Sequence, residues 1–293
     1  MADTFVYKRV DGCEIGGVLH PTSETLAPLI VYIHGGGLIW GTRDDMNREQ
    51  IRLYNEAGFN VFSVDYRLAP ESKLPEIRDD IQDLLVWIKT EAPAHFEFDR
   101  ERVAVIGSSA GGYLALLSGT FEVKPDAIVS FYGYGQVTGE WYRNPSPHFT
   151  SMTTVPEMLA KQLVQPNAIF SAPIERRYAI YLYCRQQGTW LDWVAGSNAV
   201  DKSKLANYAP IELADTKYPA TLLIHGDQDE DVPYAESVAM KKKLDSLSIP
   251  NELLTISQGK HNFDANMKDP GSVRTIQHTI TFLQQRFHMK TNL

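Results

Sequence analysis

Val105-Ile106-Gly107-Ser108-Ser109-Ala110-Gly111-Gly112 places a serine between glycines, directly after an apolar β-branched run and directly before an Ala/Leu-rich helical run. A strand that turns sharply into a helix is the setting that lifts a serine hydroxyl clear of a sheet, where a substrate carbonyl can reach it. Gly107 and Gly111 suit such a turn because a Cβ at either place would crowd it. The bare spacing is weak evidence, since Gly-x-Ser-x-Gly arises by accident in about one chain in ten of this length. A serine hydroxyl is also a poor nucleophile near neutrality and needs a base, a carboxylate to orient that base, and donors for the oxyanion. Those groups must come from distant segments.

The chain has 293 residues, 43% of them hydrophobic and 22% charged, which is ordinary globular usage with enough apolar material for one large core. Its formal net charge of -8 repels polyanions over most of the surface, so neither nucleic acid nor an anionic membrane is an expected partner. Met1 to Lys8 contains no apolar stretch of signal-peptide length, and no run approaches membrane-spanning length. A cytoplasmic location is the default expectation. Cys13 and Cys184 lie far apart without metal-ligand spacing and read as free thiols.

Outward from Ser109, short apolar runs alternate with helical patterns. Phe5–Val10 and Ile15–His20 read as an antiparallel hairpin turning at Asp11-Gly12. Leu29–Ile33, Phe59–Val64, Val103–Ile106, Ala127–Phe131, Ala220–Ile224 and Glu252–Ile256 read as strands, most of them covered on both faces. Helices are expected at Met46–Ala57, Leu74–Glu91, Gly111–Ser118, Tyr234–Leu247 and Ser272–Phe287. This alternation predicts an α/β protein with a mostly parallel sheet and helices on both faces. From Gln136 to about Pro210 there is no core-type strand, only aromatics, prolines and helical pieces such as Val155–Leu163 and Ile174–Arg185. Residues 136–210 are therefore expected to be an inserted cap over a core made of 1–135 and 211–293.

His261, in the loop Gly259-Lys260-His261-Asn262-Phe263 after the last strand, is the candidate base among eight histidines. Asp229, in His225-Gly226-Asp227-Gln228-Asp229-Glu230-Asp231-Val232-Pro233, is the candidate orienting carboxylate. Asp227 and Asp231 are rivals, each equally suited to capping the helix that begins near Pro233. The aspartates lack the ligand spacing and closing glutamate of a calcium loop, and no metal or cofactor is called for. His34-Gly35-Gly36-Gly37 ends the apolar strand Leu29–Ile33. Its glycines let backbone N–H groups approach a substrate oxygen, with Gly36, Gly37 and Ala110 as the natural donors and His34 as a structural support. No Gly-Lys-Ser/Thr follows, so a phosphate cradle is not supported.

His34-Gly35-Gly36-Gly37, Asp65-Tyr66-Arg67-Leu68-Ala69-Pro70-Glu71 and Gly107-Ser108-Ser109-Ala110-Gly111-Gly112, in this order, make the chain resemble the hormone-sensitive-lipase-like carboxylesterases of the α/β-hydrolase superfamily. The resemblance covers about residues 25–135 and 215–287 and implies an α/β-hydrolase fold. It further implies Ser109, Asp229 and His261 as a triad and Gly36, Gly37 and Ala110 as the oxyanion hole. That family usually carries an N-terminal helical cap. Here the first long core strand begins near Leu29, and the insertion is expected to stand in for the cap. Trp141, Tyr142, Tyr178, Tyr181, Trp190 and Trp193 either line an acyl or alcohol pocket or form the cap's own small core.

The expected activity is hydrolysis of small or short-chain carboxylic esters through an acyl-enzyme. An arylformamidase or other amidase using the same residues is the alternative, with a non-catalytic ligand receptor behind it. The expected partner is a small-molecule ester, without nucleic acid or stable membrane association, and a homodimer is left open.

Overall fold

The computed structural model describes residues 3–289; Met1 and Ala2, which begin the N-terminal stretch read above, lie outside it. Among the described residues eight strands form one sheet in the order β1-β2-β4-β3-β5-β6-β7-β8. β1 (Asp3–Val10) and β2 (Cys13–His20) pair antiparallel around Asp11 and Gly12, both at positive φ, as the Asp-Gly signal requires. β2 also pairs antiparallel with β4 (Asn60–Val64). From β4 through β3 (Pro28–Ile33), β5 (Asp99–Ser108), β6 (Ala127–Phe131), β7 (Ala220–Gly226) and β8 (Asn251–Ile256) every pairing is parallel.

The apolar runs are strands because successive side chains face opposite helical layers. In β3, Leu29, Val31 and Ile33 enter one core while Ile30 and Tyr32 enter the other; Val103 and Val105 against Ala104 and Ile106 repeat the division in β5. The first layer is closed by α2 (Leu74–Thr90), α3 (Ala110–Ser118) and α11 (Ala235–Ser246), the second by α1 (Arg48–Glu56) and α12 (Pro270–Arg286). β5 begins four residues before the Val103–Ile106 run because Asp99 pairs with Pro28 at an exposed strand end that carries no apolar pattern.

Between β6 and β7 the chain makes seven α-helices among the described residues. They are α4 (Glu140–Arg143), α5 (Pro147–Thr150), α6 (Glu157–Gln162), α7 (Ile174–Gln187), α8 (Trp190–Ala195), α9 (Lys202–Ala206) and α10 (Pro210–Leu213). Their apolar side chains, including Tyr142, Phe149, Ile180 and Trp190, merge into the first core layer rather than forming a separate one. A single β-bridge, Gly41 to Ala172, joins this stretch to the loop after β3.

Candidate active site

Each candidate residue sits just beyond the C-terminal end of a parallel strand, where open α/β sheets bind ligands. Ser109 follows β5 with φ 55 and ψ -119, a conformation that costs a non-glycine residue about 1–3 kcal/mol. The neighbouring glycines make it attainable. A Cβ on Gly107 would lie 2.1 Å from the carbonyl oxygen of Gly111, and one on Gly111 would lie 2.1 Å from that of Ile33. The turn thus packs against β3 itself, and Ser109 Oγ is aimed out of the sheet.

His261 reaches Ser109 from the loop after β8, with Nε2 3.1 Å from Oγ. Its Nδ1 is 2.7 Å from Asp229 Oδ2. Asp229 follows β7, and its other oxygen accepts the backbone N–H groups of Asp231 and Val232, both at 2.9 Å. Burial works against charge on Asp229, but hydrogen bonds from His225 and His261 hold its carboxyl well below the usual carboxylate range. Burial likewise opposes charging of His261, yet the Asp231 charge and the Asp229 hydrogen bond outweigh it and raise its pKa above the ordinary imidazole value. The ring also packs against Tyr132, with centroids 4.6 Å apart. Geometrically, a proton leaving Ser109 Oγ has an acceptor in line and a fixed carboxylate behind that acceptor.

The loop after β3 brings Gly36 and Gly37 beside Ser109, at φ 95 and 60. Among the described residues, the N–H groups of Gly36, Gly37 and Ala110 have no protein acceptor, so they are free for an oxyanion. His34 sits at the root of this loop. It is fully buried, stacks on Tyr66 at 4.4 Å, and contacts the carbonyl of Gly35 through Nδ1 at 2.9 Å. Burial lowers its pKa, which keeps it uncharged near neutrality. The Tyr66 hydroxyl donates to the carbonyls of His34 and Gly35, and Trp190 Nε1 donates to that of Gly37 at 2.9 Å.

Ser109 and His261 open into a cavity of about 630 Å³. Its lining includes Trp40, Phe149, Ile174, Tyr178 and Tyr181 as well as the polar side chains of Asn47, Gln50, Asn262 and Asp264. The six aromatics left open between pocket lining and core divide between the two. Tyr178 and Tyr181 do line the cavity, whereas Tyr142 and Trp190 stack on each other at 3.8 Å inside the core, with Trp141 against Tyr142. Trp193 packs on Tyr183 instead. Trp141 and Tyr142 flank the buried Arg185 guanidinium, and Trp190 donates to the Gly37 carbonyl, contacts that a helical-period reading does not reveal. The rival aspartates do not cap α11 either. Asp227 accepts from the backbone N–H of Gln258 at 2.6 Å, and Asp231 turns toward α7.

A family model described as the α/β-hydrolase fold matches residues 30–265. The chain belongs to the α/β-hydrolase fold family. This is the superfamily to which the three sequence motifs pointed, through its hormone-sensitive-lipase-like branch. The chain is 26% identical to the non-reducing polyketide synthase ausA of Emericella nidulans over 94% of its own length, which is only 13% of that synthase. Among solved structures, a Staphylococcus aureus protein matches with a TM-score of 0.80 at 23% identity, covering 97% of this chain and 98% of that one. The propionate-bound esterase Est2 of Thermogutta terrifontis matches with a TM-score of 0.72 at 17% identity, covering 100% and 97%. At such identities these two likenesses speak for the fold alone.

Several groups around the candidate site carry little signal in the sequence. His225, at the end of β7, brings Nε2 within 3.3 Å of Asp229 Oδ2 and 3.0 Å of the Val232 carbonyl, while Nδ1 faces Ser237 Oγ at 2.7 Å. Both groups facing Nε2 are acceptors, so that nitrogen is placed as a donor. Its position in the quoted His225-Gly226-Asp227 run was the available signal. Tyr132 donates to Asp264 at 2.6 Å, and Gln50 donates to the same carboxylate, which fixes the wall beside His261. No local pattern announces these long-range contacts.

Proposed function

We propose that this protein is a serine carboxylester hydrolase acting on small or short-chain acyl esters. The observation that carries the proposal is the 3.1 Å approach of His261 Nε2 to Ser109 Oγ, with Asp229 2.7 Å behind the ring. In the proposed cycle Ser109 Oγ attacks the ester carbonyl as its proton passes to His261 Nε2. The carbonyl oxygen takes the negative charge beside the N–H groups of Gly36, Gly37 and Ala110. The C–O bond then breaks, the imidazolium gives its proton to the departing alcohol, and an acyl-Ser109 remains. Water repeats the sequence from the other side and releases the acid.

Short acyl groups are favoured by the bounded cavity and by the packing of residues 136–210, which we read as a cap tied down over the site. An acyl thioester belongs in the same assay panel, because it presents the same acyl carbon and the curated relative named above is a polyketide synthase. The test compares p-nitrophenyl esters of rising acyl length with an arylformamide and a thioester. A maximum at acetyl to butyrate is expected, whereas a maximum at about twelve carbons or more would contradict a closed pocket. Turnover of the arylformamide alone would move the assignment to a formamidase.

A further inference from the structure

Asp231 was a rival for the place of Asp229, and the structure gives it a different position. Its Oδ2 lies 3.8 Å from His261 Nε2, the nitrogen that faces Ser109, whereas Asp229 holds the opposite nitrogen. That separation is too long for a hydrogen bond and short enough for a strong charge interaction in a partly desolvated site. The carboxylate is only 17% exposed and is held from above by α7. Tyr181 donates its hydroxyl to Oδ1 at 2.6 Å, the Arg185 guanidinium pairs with the same oxygen, and Arg185 also donates to the Asp231 carbonyl at 3.0 Å. Arg185 is itself caged by the rings of Phe149, Tyr142, Trp141 and Tyr181, whose centroids stand 4.7 to 5.5 Å from the guanidinium carbon.

This anchoring is directional. Arg185 and Tyr181 occupy one oxygen and the backbone carbonyl, which leaves the other oxygen turned to the base. Tyr181 also touches the oxyanion loop: a Cβ on Gly37 would fall 2.5 Å from its ring. One turn of α7 therefore lies against both the oxyanion donors and the carboxylate facing His261.

We propose that Asp231 is a positioning residue for His261, placed by Arg185 and Tyr181 so that its charge stabilises the imidazolium formed when Ser109 gives up its proton. This rests on the reading of His261 as the base. The other charged and titratable groups around the ring are held in separate roles. Asp229 orients Nδ1 and is backed by His225; Asp264 is tied to Tyr132 and Gln50; exposed Lys260 pairs with Glu230, which also faces His148. Asp231 is the carboxylate among them within 4 Å of Nε2.

The experiment is an NMR titration of the His261 imidazole in Ser109→Ala and in Ser109→Ala/Asp231→Asn, which needs no turnover, together with pH profiles of kcat/KM for wild type and Asp231→Asn. Loss of the carboxylate should move the His261 titration to lower pH. In the active protein the acid limb should follow, so that the ratio of kcat/KM near pH 5 to its plateau rises about tenfold or more. Asp231→Asn leaves Arg185 buried without its partner, and if that variant does not fold, Asp231→Asn/Arg185→Gln removes both charges and carries the same expectation. An unmoved His261 titration in a folded variant overturns the proposal. Absence of Ser109-dependent ester turnover in the wild type would strike the hydrolase reading instead, and the titration would still decide what Asp231 does to His261.

Discussion

Glu71 and Arg177 meet as a two-pronged ion pair, with both nitrogen–oxygen contacts at 2.7 Å and side chains only 1% and 3% exposed. Glu71 closes the Asp65-Tyr66-Arg67-Leu68-Ala69-Pro70-Glu71 segment of the core, and Arg177 belongs to α7. The same guanidinium donates to the carbonyls of Ile39 at 3.0 Å and Ala69 at 2.7 Å. The segment thus ties the loop after β3 to α7.

Removing Arg177 leaves the buried Glu71 carboxylate without its counter-charge, with only the Gln165 backbone N–H, among the described residues, still donating to it. Arg177→Met is expected to lower the unfolding free energy by about 3–5 kcal/mol, read from urea denaturation. Glu71→Gln/Arg177→Met should recover a large part of that loss. Two single losses that simply add in the double variant would show the pair to be uncoupled.

Gly36 is constrained twice, by φ 95 and by the Trp40 carbonyl oxygen, which would lie 2.0 Å from an added Cβ. Gly36→Ala should displace one oxyanion donor and lower kcat by about a hundred- to a thousandfold, with an unchanged far-UV CD spectrum. Retention of more than about a tenth of wild-type kcat would remove Gly36 from the oxyanion site.

His225 shares Asp229 with His261 and has a partner for each ring nitrogen. His225→Leu deletes a hydrogen bond to a buried carboxylate, so kcat should fall about ten- to a hundredfold while KM changes little. Unchanged kcat in a folded His225→Leu protein would limit His225 to a packing role.

Asp65 gives a pH-dependent prediction of stability. Burial lifts its carboxyl to about 7, although Arg43 stands 3.3 Å away and donates its backbone N–H at 2.8 Å. An unfolded aspartate ionises near 3.9. The folded state therefore holds this proton more tightly, and the associated stability is complete below about pH 4 and lost as the pH rises through about 7. Asp65→Asn should unfold at higher urea than wild type at about pH 8, by up to about 4 kcal/mol, with the advantage gone near pH 4. Equal midpoints at both pH values would contradict it.

The layered architecture was readable in the sequence because it is local chemistry repeated. Continuous apolar runs such as Leu29–Ile33 can be satisfied only by helices on both faces, and Asp11-Gly12 and the glycines around Ser109 mark backbone conformations that other residues resist. Ser109, His261, Asp229, Gly36, Gly37 and Ala110 could be named because each sits at a strand end, and the structure brings all six together. What the sequence hid was the wiring between distant segments. Arg185 and Arg177 look like the polar face of an amphipathic helix, yet both are buried by partners 46 and 106 residues away. Trp190 reads as cap core or pocket wall, and its indole N–H donates to the Gly37 carbonyl. Hydrophobic periodicity records which side of a helix is buried, not which carbonyl or carboxylate waits there.

The central claim is that Ser109 attacks an acyl carbon with His261 as its base. Its most direct measurement is peptide mapping by mass spectrometry after inactivation with an organophosphate, run beside p-nitrophenyl acetate turnover of wild type and Ser109→Ala. A single adduct on Ser109, formed in step with loss of activity, is expected, with no turnover above background in Ser109→Ala. An adduct on another residue, or normal turnover in Ser109→Ala, would contradict it.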